Sequence, residues 1–308
     1  MRYEILIANT IFLLSFCGLF SSASLALAPV DKLTFVKRLT EEGAYSRARP
    51  GIEKLLLEFP NDLSVHLGAA RLYKKMGLWS RAIMEYEWVR THDPVNSEPY
   101  IALSEMYLEN LSSDLALSMA EEAIRLAPQS KKAHAQLISA LLANYRYQDA
   151  DRELRGLLSR FPRDAAVRHL AYQLNKNTGD LKAAKQYLEE AIALDPRKPA
   201  WLLELSDICE ALGDIGCARA SLKDYLKKMP DSVEALQKLA WLQERYMFDY
   251  PAATRTYELI LARDPENWVA EAGLERLNLK ATDPAENIKR GIRKFFSDIG
   301  TWLESFRR

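Results

Sequence analysis

Apolar residues recur along most of this chain at steps of three and four, the spacing of one face of an α-helix. Prolines punctuate the pattern. Pro60, Pro94, Pro128, Pro162, Pro196, Pro230 and Pro265 lie 34, 34, 34, 34, 34 and 35 residues apart. Twelve residues before each stands an alanine: Ala48, Ala82, Ala116, Ala150, Ala184, Ala218 and Ala253. Eight before it come Ile52, Tyr86, Ala120, Leu154, Leu188, Leu222 and Tyr257, and five before it Leu55, Val89, Ala123, Leu157, Ala191, Tyr225 and Ile260. The spacing predicts a tandem array of helical hairpins. A small residue at each crossing lets two antiparallel helices approach closely. Proline ends the second helix because it lacks an N–H and biases the residue before it out of helical geometry. Turns inside the hairpins are expected at Glu42-Gly43, Met76-Gly77, Ser113-Asp114, Thr178-Gly179-Asp180 and Leu212-Gly213-Asp214, and an Asp, Asn or Ser after each proline is expected to cap the next helix. Pro50 is tolerable in the first turn of its helix and kinks it elsewhere. Asp249-Tyr250-Pro251 holds one extra residue, with Pro251 opening the second helix of the last unit.

This period resembles the tetratricopeptide repeat family. The third unit carries the resemblance in Tyr100, Leu103, Ser104, Tyr107, Ala116, Ala120, Ala123 and Pro128, and the second in Tyr73, Ala82, Tyr86 and Pro94. The expected fold is all-α: a solenoid of seven helix-turn-helix repeats over 29–267, divided 29–62, 63–96, 97–130, 131–164, 165–198, 199–232 and 233–267. A capping helix follows over 268–282, then a terminal amphipathic helix over 283–308. Such units cannot bury their apolar faces singly and depend on their neighbours.

The resemblance implies a role in holding partners, with the first helix of each unit lining a concave surface. Carried over position by position, that surface comprises Lys37, Leu67, Arg71, Lys74, Lys75, Ile101, Glu105, Leu203, Asp207, Glu210, Trp241 and Glu244. Its N-terminal part is basic and its C-terminal part acidic. Some family members clamp a C-terminal carboxylate with Lys and Asn. The matching Asn positions here are Lys37, Arg71, Glu105, Ser139, Gln173, Asp207 and Trp241, so that clamp is not implied. A protein or peptide partner with apolar anchors fits instead.

The first 28 residues read as a secretory leader, with Arg2, an apolar stretch from Ile5 to Phe20, and small residues up to Ala28. An uncleaved anchor and a lipid-modified Cys17 are the alternatives. The expected setting is exported and periplasmic. Two further cysteines, Cys209 and Cys217, lie late in one helix and early in the next, so either they pair across the hairpin mouth or they pack as small buried residues. At the other end, Ile288, Ile292, Phe295, Phe296, Ile299, Trp302 and Phe306 form an apolar stripe beside Lys289, Arg290, Arg293 and Lys294. Three roles stay open for it: packing on the solenoid, lying on a membrane surface through 287–308, or pairing with a partner helix.

The chain has 42 basic and 42 acidic residues, for a formal net charge of zero, which argues against a nucleic-acid binder. His66, His92, His134 and His169 form no ligand spacing, and no nucleophile–base pair, phosphate loop or metal motif stands out. No cofactor, metal or catalytic activity is expected. The function expected is a scaffold of the cell envelope that aids assembly of an envelope or secretion complex. The alternatives are a membrane-surface tether and an accessory subunit of a separate enzyme.

Overall fold

A computed structural model describes residues 29–282. The expected leader, Cys17 and the 283–308 helix with its apolar stripe lie outside the described residues. The described residues form fifteen α-helices and no strands. In chain order these are α1 (Pro29–Glu41), α2 (Tyr45–Glu58), α3 (Leu63–Lys75), α4 (Trp79–His92), α5 (Ser97–Glu109), α6 (Ser113–Leu126), α7 (Lys131–Ala143), α8 (Tyr147–Arg160), α9 (Ala165–Thr178), α10 (Leu181–Leu194), α11 (Ala200–Ala211), α12 (Ile215–Lys228), α13 (Val233–Arg245), α14 (Tyr250–Leu261) and α15 (Trp268–Thr282). Among the described residues no helix is long and apolar enough to cross a membrane.

The chain divides into two compact units, Met1–Ala133 and His134–Arg308, with the division falling inside α7. In the first unit the hairpins α1/α2, α3/α4 and α5/α6 pack side by side on a core that includes Leu33, Ile52, Leu72, Leu103 and Met106. In the second unit α9/α10 and α11/α12 share a core built on Leu188, Ile208 and Leu222, and α13/α14 closes against α15 around Leu236, Tyr257 and Ile260.

The sequence pattern becomes packing here. Each of the seven alanines is fully buried at its crossing. The residues four and seven positions later are buried as well, except Tyr225, which is half-exposed. In hairpin α5/α6 the fully buried Ser104 hydroxyl donates to the Ala116 carbonyl at 2.6 Å, so the close approach also satisfies a buried polar group.

Capping follows the prolines with one exception. Asp62, Asn96, Asp164 and Ser232 accept backbone N–H groups at the starts of α3, α5, α9 and α13, and Ser130 and Asn267 do so for α7 and α15. After Pro196 the cap position of α11 falls on Pro199, which has no side-chain acceptor. Pro50 lies at the sixth residue of α2, past the first turn, and the helix continues through it one N–H donor short. Pro251 is in the first turn of α14, capped by Asp249.

The hairpin turns correct one expectation. Each contains one left-handed residue: Gly43, Gly77, Leu111, Tyr145, Gly179, Gly213 and Phe248, with φ between 53° and 88°. In the third hairpin the turn is therefore at Leu111, not at Ser113-Asp114, both of which lie in the first turn of α6. Leu111 adopts the glycine conformation because the hairpin needs a left-handed residue there to reverse direction.

Candidate functional site

In the first unit, residues from α1, α3, α4 and the start of α7 enclose a hollow of about 500 Å³. Its walls carry Lys37, Arg71, Lys74, Lys75 and Lys132 with the carboxylate of Glu41. Val36 and Tyr86 line it as buried side chains, and Trp79 supplies its exposed aromatic surface. Burial pushes the Tyr86 phenol well above its ordinary value, so it remains neutral. Trp79, at the start of α4, is 40% exposed.

The expected groove residues Lys37, Arg71, Lys74 and Lys75 thus meet in one place. Two of these cations are already paired to the neighbouring hairpin. The Arg71 guanidinium donates to both carboxylate oxygens of Glu98, which pushes it above its ordinary value. Lys74 donates to Glu105. Leu67 and Ile101 are half-buried, Leu67 against the first unit's core and Ile101 against Tyr100, Ala123 and Ala133.

Charge is also partly cancelled in the second unit. Asp207 accepts from Lys238 at 2.6 Å. Glu210 is half-buried, and desolvation, reinforced by Asp207, raises its carboxyl above the usual range. Leu203 packs against the core of α9–α12. Trp241 is 37% exposed, edge-on to Tyr246 at 5.2 Å, with the Arg245 guanidinium over its ring. Glu244 does not face an open surface. It is 7% exposed and accepts from the Tyr257 hydroxyl at 3.0 Å and from Arg276 at 3.1 Å, tying α13 to α14 and α15.

The lining residues that position-by-position reasoning misses are Val36, Thr40, Glu41, Gly68, Trp79, Tyr86 and Lys132. Thr40 and Glu41 follow Lys37 by three and four residues, so helical periodicity alone points to them. Trp79 and Tyr86 belong to a second helix, and Lys132 comes from α7. Only tertiary packing brings these to the hollow.

Cys209 and Cys217 are joined in the structure, with Cα atoms 5.8 Å apart across the turn between α11 and α12. Among the described residues, one group of three side chains with metal-ligand chemistry converges: these two cysteines and Asp214. That carboxylate is engaged already. It caps α12 through the Cys217 N–H and accepts from Lys185 at 2.8 Å, which holds it below the usual range. The histidines are structural ties. His66 and His134, 68 residues apart in the sequence, each meet a glutamate 19 residues on, Glu85 and Glu153. Trp88 is stacked between His66 and His92, with centroids 3.6 and 3.9 Å away.

The fold defines a class: an all-α, tetratricopeptide-like solenoid suited to holding proteins. Known proteins agree at the level of the repeat. Residues 178–242 match a tetratricopeptide repeat family model. Anaphase-promoting complex subunit 7 of Arabidopsis thaliana is 23% identical over a 341-residue alignment covering 85% of this chain and 60% of that protein. Among solved structures, the APC/C hetero-tetramer Cut9-Hcn1 superposes with a TM-score of 0.63 at 17% identity, over 90% of this chain and 52% of that one. A tetratricopeptide repeat protein from Parabacteroides merdae gives 0.61 at 12% identity, over 81% and 98%. PilW, a type IV pilus biogenesis factor, gives 0.59 at 16% identity, over 69% and 97%. The chain therefore spans only 60% and 52% of the anaphase-promoting complex proteins it resembles.

Proposed function

We propose that this protein is a non-catalytic scaffold of the cell envelope that holds a protein segment on the open face of its first helices and so aids assembly of a larger complex. The observation that carries this reading is the hollow in the first unit, where cations and aromatic rings from four helices converge on an accessible volume of about 500 Å³. Interfaces concentrate their energy in such places, with Trp, Tyr and Arg as anchors. The envelope setting is supported by the leader-like first 28 residues and by the pilus biogenesis factor among proteins of this fold. An anaphase-promoting complex subunit is also among them, so the fold serves assemblies in more than one setting.

The test is site-specific photo-cross-linking in the producing cell with the full chain. A cross-linker at Lys37 or Trp79, which line the hollow, is expected to capture a protein. One at Leu57 or Met84, exposed on α2 and α4 at 84% and 69%, is expected to capture none. Capture from Leu57 and Met84 alone, or from no position, refutes the groove reading. A C-terminal alkaline phosphatase fusion, active only outside the cytoplasm, tests the setting separately.

A further inference from the structure

We propose that the hollow of the first unit takes an acidic protein segment that also carries an apolar side chain. This rests on the scaffold reading above and names its partner's chemistry. Of the five cations lining the hollow, Arg71 and Lys74 are neutralised by Glu98 and Glu105. Lys37, Lys75 and Lys132 make no ion pair among the described residues. They come from three different helices, α1, α3 and α7, and among the described residues Glu41 is the one carboxylate lining the same space.

Cations converging without partners repel one another. Holding them together costs free energy that an anionic occupant recovers. The paired cations make the wall firm, because Arg71 and Lys74 are each fixed by bonds to the next hairpin. The volume suits several side chains rather than a single ion. The apolar surface sets the second requirement. Of the apolar lining residues Val36 and Tyr86 are already buried, and Trp79, 40% exposed, offers the aromatic surface that an occupant can cover. A purely anionic ligand leaves that surface wet, whereas Leu or Phe beside Glu or Asp covers it. An internal segment suffices, since no Asn stands where a carboxylate-terminus clamp would need one. A membrane surface fits less well, because headgroups would have to enter a recess between helices.

The experiment uses the full chain and four fluorescein-labelled decapeptides, of alternating Glu and Leu, Gln and Leu, Lys and Leu, and Glu and Gln, read by fluorescence anisotropy. The Glu–Leu peptide is expected to bind best and to weaken as sodium chloride rises from about 0.05 to 0.5 M. The double variant Lys37→Glu with Lys132→Glu, checked for an unchanged melting curve, is expected to lose about tenfold in affinity for it. The same variant is expected to gain affinity for the Lys–Leu peptide. A Glu–Gln peptide without Leu is expected to bind more weakly to the wild type, and Trp79→Ala to remove that difference. The proposal is overturned if the Gln–Leu peptide binds as tightly as the Glu–Leu peptide, or if the double variant binds the latter unchanged. It is also overturned if phosphatidylglycerol vesicles are retained and the Glu–Leu peptide is not. Persistence of cross-linking from Lys37 and Trp79 in any of those cases leaves the scaffold reading standing. Loss of the cross-links removes both.

Discussion

Leu111 and Phe248 hold the same left-handed turn position, with φ of 57° and 53°, yet glycine should have opposite effects at the two sites. An L-residue in that conformation costs about 1–2 kcal/mol. Glycine removes the strain but gives back about 0.5–1 kcal/mol through the greater freedom of the unfolded chain. Leu111 is 92% exposed, so its side chain has almost no packing to lose. Leu111→Gly is therefore expected to stabilise hairpin α5/α6 by about 0.5–1 kcal/mol. Phe248 packs against the core around Leu236, Tyr250 and Ile260. Partial burial of a Phe contributes about 1–2 kcal/mol, and the void left behind adds to the loss. Phe248→Gly is then expected to destabilise by about 1 kcal/mol in spite of the relieved strain. Gly77→Ala is the control: a Cβ there meets nothing within 4 Å, so its expected cost of about 1 kcal/mol comes from the backbone alone. Repeat arrays open locally, so the assay is native-state hydrogen exchange of the amides in the affected hairpin, supported by urea unfolding. Faster exchange in Leu111→Gly, or slower exchange in Phe248→Gly, would refute the reasoning.

Three further outcomes are expected. Thiol titration of the denatured chain without reductant should find Cys209 and Cys217 unreactive, and reduction should cost about 2–3 kcal/mol because the closed loop is short; two reactive thiols in freshly isolated protein would show that the pair is not joined. Arg276→Ala should destabilise by about 1–3 kcal/mol by leaving the buried Glu244 carboxylate without its cation, and a double-mutant cycle with Glu244→Gln should show coupling, whereas additive effects would deny the tie. The Glu210 carboxyl is raised by burial, so its contribution is fully present below the ordinary carboxylate range and fades as pH rises through the raised value; Glu210→Gln should therefore raise the melting temperature at neutral pH and make little difference near pH 4, and a larger gain in acid would reverse the sign of the argument.

The helical array was legible because one geometric demand recurs. A close helix crossing accepts little besides alanine, and Ala48, Ala82 and their counterparts mark every crossing. Leu111 was hidden because a leucine reads as part of a helix, while the demand for a left-handed turn belongs to the hairpin and not to the residue. The site was half legible. Helical positions pointed to Lys37, Arg71, Lys74 and Lys75, which line one hollow, but their charges mislead when counted alone. Glu98 and Glu105, 27 and 31 residues downstream of their partners, cancel two of them. Glu244 escaped for a similar reason: Tyr257 and Arg276, which make its burial tolerable, lie 13 and 32 residues away. Repeat position says where a side chain starts, and the neighbouring hairpin decides what it meets.

The inter-hairpin ion pairs also bear on how such a chain can grow. Arrays of this kind lengthen by tandem copying of a unit, which brings each residue against the position 34 places earlier than its present neighbour. A second copy of α3/α4 would bring Lys74, now paired with Glu105, against another Arg71. A second copy of α11/α12 would bring Asp207, now paired with Lys238, against another Glu204. Both junctions would join like charges. The hairpins share a backbone plan but carry edges keyed to one neighbour each, so duplication is penalised at these seams and the order of the units is written into their charges.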